Sequence, residues 1–136
     1  MDKRIDLIRW AERQIGKQFK WGKIDCTTLT LEAIRIYYGI SIPIAVEWKS
    51  LKTALRAYQK NGNPPDILQQ NGFVEIKKNY EQTGDIFVWR GNGYWLLGII
   101  INGAVLVADE GKKVEMRPIQ AFPGEYQAWR RLEAGV

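Results

Sequence analysis

The chain has 136 residues, a single cysteine, no histidine and a net charge of +5. That length supports one domain around one core, and the lone cysteine excludes an internal disulfide, so folding needs no oxidising compartment. Without histidine there is no imidazole to act as general base, proton shuttle or metal ligand. With only one cysteine the usual zinc sites are also excluded, and neither a metal nor a cofactor is expected.

Met1, Asp2, Lys3 and Arg4 lead directly into an amphipathic pattern rather than an apolar signal-peptide core. Ile5, Ile8, Ala11 (or Glu12) and Ile15 recur at helical spacing, with Asp2 placed to cap the helix and Gly16 to stop it. The loop from Lys17 to Ile24 carries Phe19, Trp21 and Gly22, and ends on Asp25-Cys26. Asp25 is a good N-cap, because its carboxylate accepts from the free N–H groups of a first helical turn. A second helix is expected from about Asp25 to Tyr38, ended by Gly39, with Cys26, Leu29, Ala33 and Ile36 or Tyr37 on its apolar face.

Cys26 thus occupies the first helical position, where the positive end of the helix dipole favours thiolate over thiol; a cysteine nucleophile is expected at such a place. The plainer alternative is a small buried hydrophobe, since free cysteine is among the most buried residue types.

Ser41-Ile42-Pro43-Ile44 reads as an extended linker. Trp48, Leu51, Leu55 and Tyr58 share one helical face, predicting a third helix over about Val46 to Lys60 that buries all four. Asn61 to Pro65 breaks it, and Pro65 to Gln70 suits a short helix before Gly72.

From Gly84 the period changes from helical to strand-like. Strands are expected over Asp85 to Trp89, Trp95 to Ile101, Ala104 to Ala108, Lys113 to Arg117 and Gln127 to Arg131. Arg90-Gly91-Asn92-Gly93 reads as a turn, and Asn102-Gly103 as a two-residue hairpin turn in which both residues tolerate positive φ. Helices followed by an antiparallel sheet make the class α+β, with a single domain over residues 1–136.

The longest apolar run, Tyr94 to Ile101, contains Gly98 and is too short to span a bilayer, so no membrane association is expected. The basic pairs Lys77-Lys78, Lys112-Lys113 and Arg130-Arg131 are scattered and carry no nucleic-acid motif. They read as solvated surface or as a face for an acidic protein partner. Asp85 and the pair Asp109-Glu110 read as turn residues rather than catalytic acids. Six tryptophans are many for this size; most should be core, and some suit anchors at a protein interface.

Trp21-Gly22, Asp25-Cys26 and Leu29 in an apolar helix ending at Gly39 resemble the cysteine motif of the NlpC/P60 cell-wall peptidases. Gly84-Asp85-Ile86 before a strand, Leu97-Gly98-Ile99 and Asn102-Gly103 follow in the family's order. The C-terminal Ala128-Trp129-Arg130 and the compact size resemble a phage-encoded branch found among tail-tip genes. The resemblance implies a papain-like arrangement, with N-terminal helices packed on a small antiparallel sheet of five to six strands. It implies virion localisation at a tail tip after synthesis in the host cytoplasm, and contacts with distal-tail and hub proteins.

The departures from that pattern carry the functional expectation. Leu96 stands where the family has its catalytic histidine, and the third, orienting position falls on Val107 or Ala108. Only Cys26 remains of the three, as a vestigial nucleophile. Amide cleavage also requires a proton for the leaving amine, which leucine, valine and alanine do not hold. A hydrocarbon surround raises the pKa of the thiol. The leading expectation is therefore a catalytically inactive, structural tail-tip component. The alternative is an active cysteine peptidase or amidase that cuts peptidoglycan stem peptides with an unconventional base, for which Asp109 and Tyr94 are the candidates. A third reading is a module that holds a cell-wall peptide without cutting it, using Phe19, Trp21 and Asp25.

Overall fold

The computed structural model describes residues 2–91 and 93–132. Asn92, on which part of the expected turn after Arg90 falls, lies outside the described residues, as do Met1 and residues 133–136. Four helices come first: α1 (Lys3–Gln14), α2 (Cys26–Tyr38), α3 (Leu51–Asn61) and α4 (Pro64–Gln70). Strands β1 (Phe73–Ile76), β2 (Ile86–Gly91), β3 (Tyr94–Ile101), β4 (Ala104–Val107), β5 (Glu115–Pro118) and β6 (Tyr126–Arg131) follow, with a single 3-10 turn at Ile119–Ala121 before β6. The strands form one antiparallel sheet in the order β1-β6-β2-β3-β4-β5. The α+β class holds, and the sheet has six strands.

Local chemistry explains the starts and stops. Asp2 accepts from Arg4 N at the head of α1. Asp25 and Thr28 form a reciprocal capping box on α2, and Gly39 closes that helix in the left-handed region with φ +70°. The β3–β4 hairpin turns on Asn102 and Gly103, with φ +50° and +77°, the backbone that an Asn-Gly turn favours.

The sheet is buried on both faces, and alternate residues serve two cores. Ile86, Val88, Leu97, Ile99 and Leu106 pack beneath Leu7 and Trp10 of α1 and Leu29, Ala33 and Ile34 of α2. Phe87, Leu96, Ile100, Val105 and Val107 pack on the other side against Ile119 and Phe122 from the segment before β6. Cys26 touches both clusters. Gly98 makes the β3–β4 crossing tight: a Cβ there would lie 2.2 Å from a methyl of Val105.

Three expectations change. In α1 the buried face is Leu7, Trp10 and Ala11, while Ile5 and Ile15 are exposed. The third helix begins at Leu51, not Val46, because Ser50 and Thr53 form a capping box there and residues 40–48 run without regular structure. Trp48 is buried, yet it precedes the helix, and no residue of α3 is fully buried. Leu51 and Leu55 remain 40 % and 36 % exposed. Strand β1 was not foreseen; its four residues pair with β6 from Phe73↔Arg131 to Ile76↔Ala128.

Candidate functional site

Asp25 organises the site. One carboxylate oxygen accepts from Thr28 N at 2.8 Å, and the other accepts from Gly22 N at 2.7 Å and from the Trp48 indole Nε1 at 2.8 Å. It therefore joins the aromatic loop, the start of α2 and the segment entering α3. At 3 % exposure and with both oxygens engaged, its chemistry is spent inside the protein. Gly22 is required beside it: φ is +77°, and a Cβ would sit 2.4 Å from the Trp48 carbonyl oxygen.

Cys26 follows as the first residue of α2. Its sulfur donates to Ala108 O and accepts from Ala108 N, both at 3.3 Å, just beyond the end of β4. No side chain hydrogen-bonds the sulfur among the described residues. Burial pushes the thiol from 9.0 to about 12, and the charges of Asp109 and Asp25 add to the rise. The Ala108 backbone contact and Arg117 pull the other way and do not offset it. Desolvation thus outweighs the helix N-terminus, and the thiol stays protonated at neutral pH.

Leu96 and Ala108 line the same cleft as Cys26, a space of about 440 Å³ open to solvent. Val107 is fully buried in the second core and does not line the cleft, so the residue that meets the sulfur is Ala108, through its backbone. Phe19 and Trp21 form another wall; their rings meet edge to face with centroids 4.9 Å apart. The Trp21 indole N–H is bonded to Glu110.

Several polar groups of the cleft are also committed to partners within the protein. Asp109 pairs with Arg117 at 2.5 Å, and the same guanidinium takes Glu115 at 2.6 Å. Tyr58 of α3 shares a hydrogen bond with Thr27 at 2.9 Å, and burial raises its pKa to about 12. Tyr94 lines the cleft as well. Among the described residues no cluster of three or more His, Cys, Asp or Glu side chains could hold a metal, and no helix is long and apolar enough to cross a membrane.

A family model described as a domain of unknown function, DUF6950, matches residues 2–130. The chain belongs to the DUF6950 family. No curated protein matches it. The DUF6950 match takes in every residue of the cleft.

Sequence reasoning placed Phe19, Trp21, Asp25, Cys26, Leu96 and Ala108, and the structure gathers these six on one cleft. It did not place Trp48, Tyr58, Trp89, Arg117 or Phe122 there. The tryptophan count was the one signal pointing to some of them, and it carries no address.

Proposed function

We propose that this protein is a catalytically inactive NlpC/P60-like domain with a papain-like arrangement, serving as a structural component of a bacteriophage tail tip beside distal-tail and hub proteins. A cysteine at a helix N-terminus, packed against an antiparallel sheet, supports the architectural part of that reading. The observation that carries the loss of activity is the sulfur's environment. Among the described residues its only hydrogen-bond partners are the two backbone groups of Ala108, and Leu96 flanks the same cleft. A peptidase of this type must first form a thiolate and then protonate an amine. Here the first step is opposed by burial, and among the described residues no side chain hydrogen-bonds the sulfur to serve the second. The tail-tip assignment rests on the resemblance of the motif order to the phage branch.

Gene deletion is expected to abolish tail assembly, whereas Cys26→Ala should assemble and infect normally. Assembled Cys26→Ala particles that fail to infect would overturn the reading. The openness of the cleft and the presence of Asp109 in it favour, secondarily, an enzyme that cuts peptidoglycan stem peptides. Clearing of purified cell walls by the wild type and not by Cys26→Ala would establish that alternative. The ion pair with Arg117 opposes it, since that guanidinium already engages Asp109, whose charge raises the thiol pKa.

A further inference from the structure

The sheet has two edges, and they are unlike. At one, the chain ahead of β5 is met by the loop after α1 through the Gln18↔Lys113 bridge, and the strand ends on Pro118, which has no N–H to give. At the other, β1 bonds β6 along one side. Among the described residues no loop or helix backbone hydrogen-bonds its other side. Such an edge carries unpaired main-chain donors and acceptors, on which a further strand can form.

The side chains of β1 restrict which strand fits. Alternation puts Phe73 in the core beneath the helices and Ile76 with the core on the opposite face. Glu75 follows Phe73 on the helix side, and Lys77 comes next on that side; both are exposed. Among the described residues neither has an ion-pair partner, and Lys77 lies 5.9 Å from the Tyr80 ring. The other cations at this edge are engaged elsewhere. Arg131, diagonal to Glu75, bonds the Asn71 carbonyl; Arg130 is held by Asp85; and Lys78 lies over the Tyr126 ring.

From this edge we infer that two copies of the chain associate through β1, pairing antiparallel about Ile76 so that one sheet continues into the other. A two-fold axis relating antiparallel strands stands normal to the sheet, so one residue must lie opposite itself. Centred on Glu75, the pair sets two carboxylates against each other, which is destabilising. Centred on Val74, it sets each Glu75 against Phe73 of the second copy, with no cation opposite. Centred on Ile76, it sets each Glu75 opposite Lys77 of the second copy, with isoleucine against isoleucine between the two ion pairs. Opposite charges and apolar pairs at directly opposed positions are what stabilise neighbouring strands. Short, charged edge strands normally keep other chains off; this order of charges admits the same segment reversed. Tyr80 N bonds the Lys77 carbonyl as the chain turns away, so the pairing is short. It falls below a standard interface, and the dimer is accordingly weak and concentration-dependent. No residue of the cleft takes part, so the inference does not depend on the inactive-domain reading.

The test is sedimentation of the full-length protein from about 10 μM to about 1 mM, in about 150 mM salt to screen the net charge of +5. A monomer–dimer equilibrium is expected, with a Kd on the order of 100 μM. Glu75→Lys and Lys77→Glu should each weaken it roughly tenfold or more, because each leaves like charges opposed at two symmetric positions. An equimolar mixture of the two variants should pair as the wild type does, since one chain then carries both ammonium groups and the other both carboxylates. The double variant should also regain the dimer. Both positions are exposed, and the melting temperature of each variant checks that it folds. A wild type that stays monomeric at about 1 mM would overturn the inference. So would self-association that neither charge reversal weakens, or a mixture of the two variants that fails to restore it.

Discussion

Alkylation of Cys26 measures the balance on which the site depends. The helix N-terminus favours a thiolate by about 0.3–1 kcal/mol, and by about 2 kcal/mol in the best partly buried cases. Burial and the neighbouring carboxylates instead carry the thiol from 9.0 to about 12. That rise corresponds to roughly 4 kcal/mol against ionisation, at about 1.4 kcal/mol for each tenfold change. Because the thiolate is the nucleophile, the reactive fraction at about pH 7 should be roughly a thousandfold below that of an unperturbed cysteine. The assay is iodoacetamide modification of native protein followed by intact mass, with N-acetylcysteine as reference, from about pH 6 to about pH 10. The rate should climb tenfold per pH unit, with no plateau in that range, and should lie about three orders of magnitude below the reference near neutrality. Asp109→Asn should raise the neutral rate, since its charge opposes the thiolate. A plateau near pH 7, or a neutral rate within about tenfold of the reference, would refute the reasoning. It would mean that the helix dipole or an unseen base outweighs burial.

Three further outcomes are expected. Asp25→Ala removes the α2 cap and leaves the buried Trp48 N–H and the Gly22 N–H without their acceptor; the combined cost should be about 3 kcal/mol in urea unfolding. In a double-mutant cycle with Trp48→Phe the two costs should be less than additive, and strict additivity would contradict the shared bond. Alkaline pH should weaken the fold. Cys26 and Tyr58 both hold their protons to about 12 in the native state, so the unfolded chain releases them first. Their contribution is complete below about pH 9, the ordinary cysteine value, and is lost as pH rises towards 12. Tyr58→Phe should flatten that decline in urea midpoints, and a decline parallel to wild type would count against it. Leu96→His places an imidazole on the wall of the cleft that Cys26 lines, and should raise neutral-pH alkylation several-fold; a folded variant with an unchanged rate would show that the ring does not reach the sulfur.

What could be read from the chain alone divides by distance along it. Asp25 and Thr28 are three residues apart, and Asn102 and Gly103 are adjacent; their roles follow from local backbone chemistry. Trp48 was misread for a physical reason. It stands at helical spacing from Leu51, Leu55 and Tyr58, yet its indole is claimed by a carboxylate 23 positions earlier, and the helix starts only after Ser50. Ala108 lies 82 positions from the sulfur it bonds, and strand β1 is a strand because β6 pairs with it. Neither leaves a periodic mark. Four residues of Phe73–Ile76 are too few to show alternation, and a backbone partner can be any residue type.

The residues at the cleft floor also depend on one another. A thiolate at Cys26 would be tolerable only with a cation beside it, because an unpaired charge held in hydrocarbon is expensive. Leucine at position 96 supplies none, and the stable form of the sulfur is the neutral thiol, a small hydrophobe with a weak donor. In that form it bonds Ala108 on both backbone groups and joins the two cores, where a charged sulfur would not pack. A neutral thiol asks for no charged partner from the walls above it. Tyr58 of α3 and the rings of Trp89, Tyr94 and Trp95 from the sheet line the same cleft as that sulfur. A neutral sulfur and the apolar walls around it are, on this argument, two sides of one physical condition.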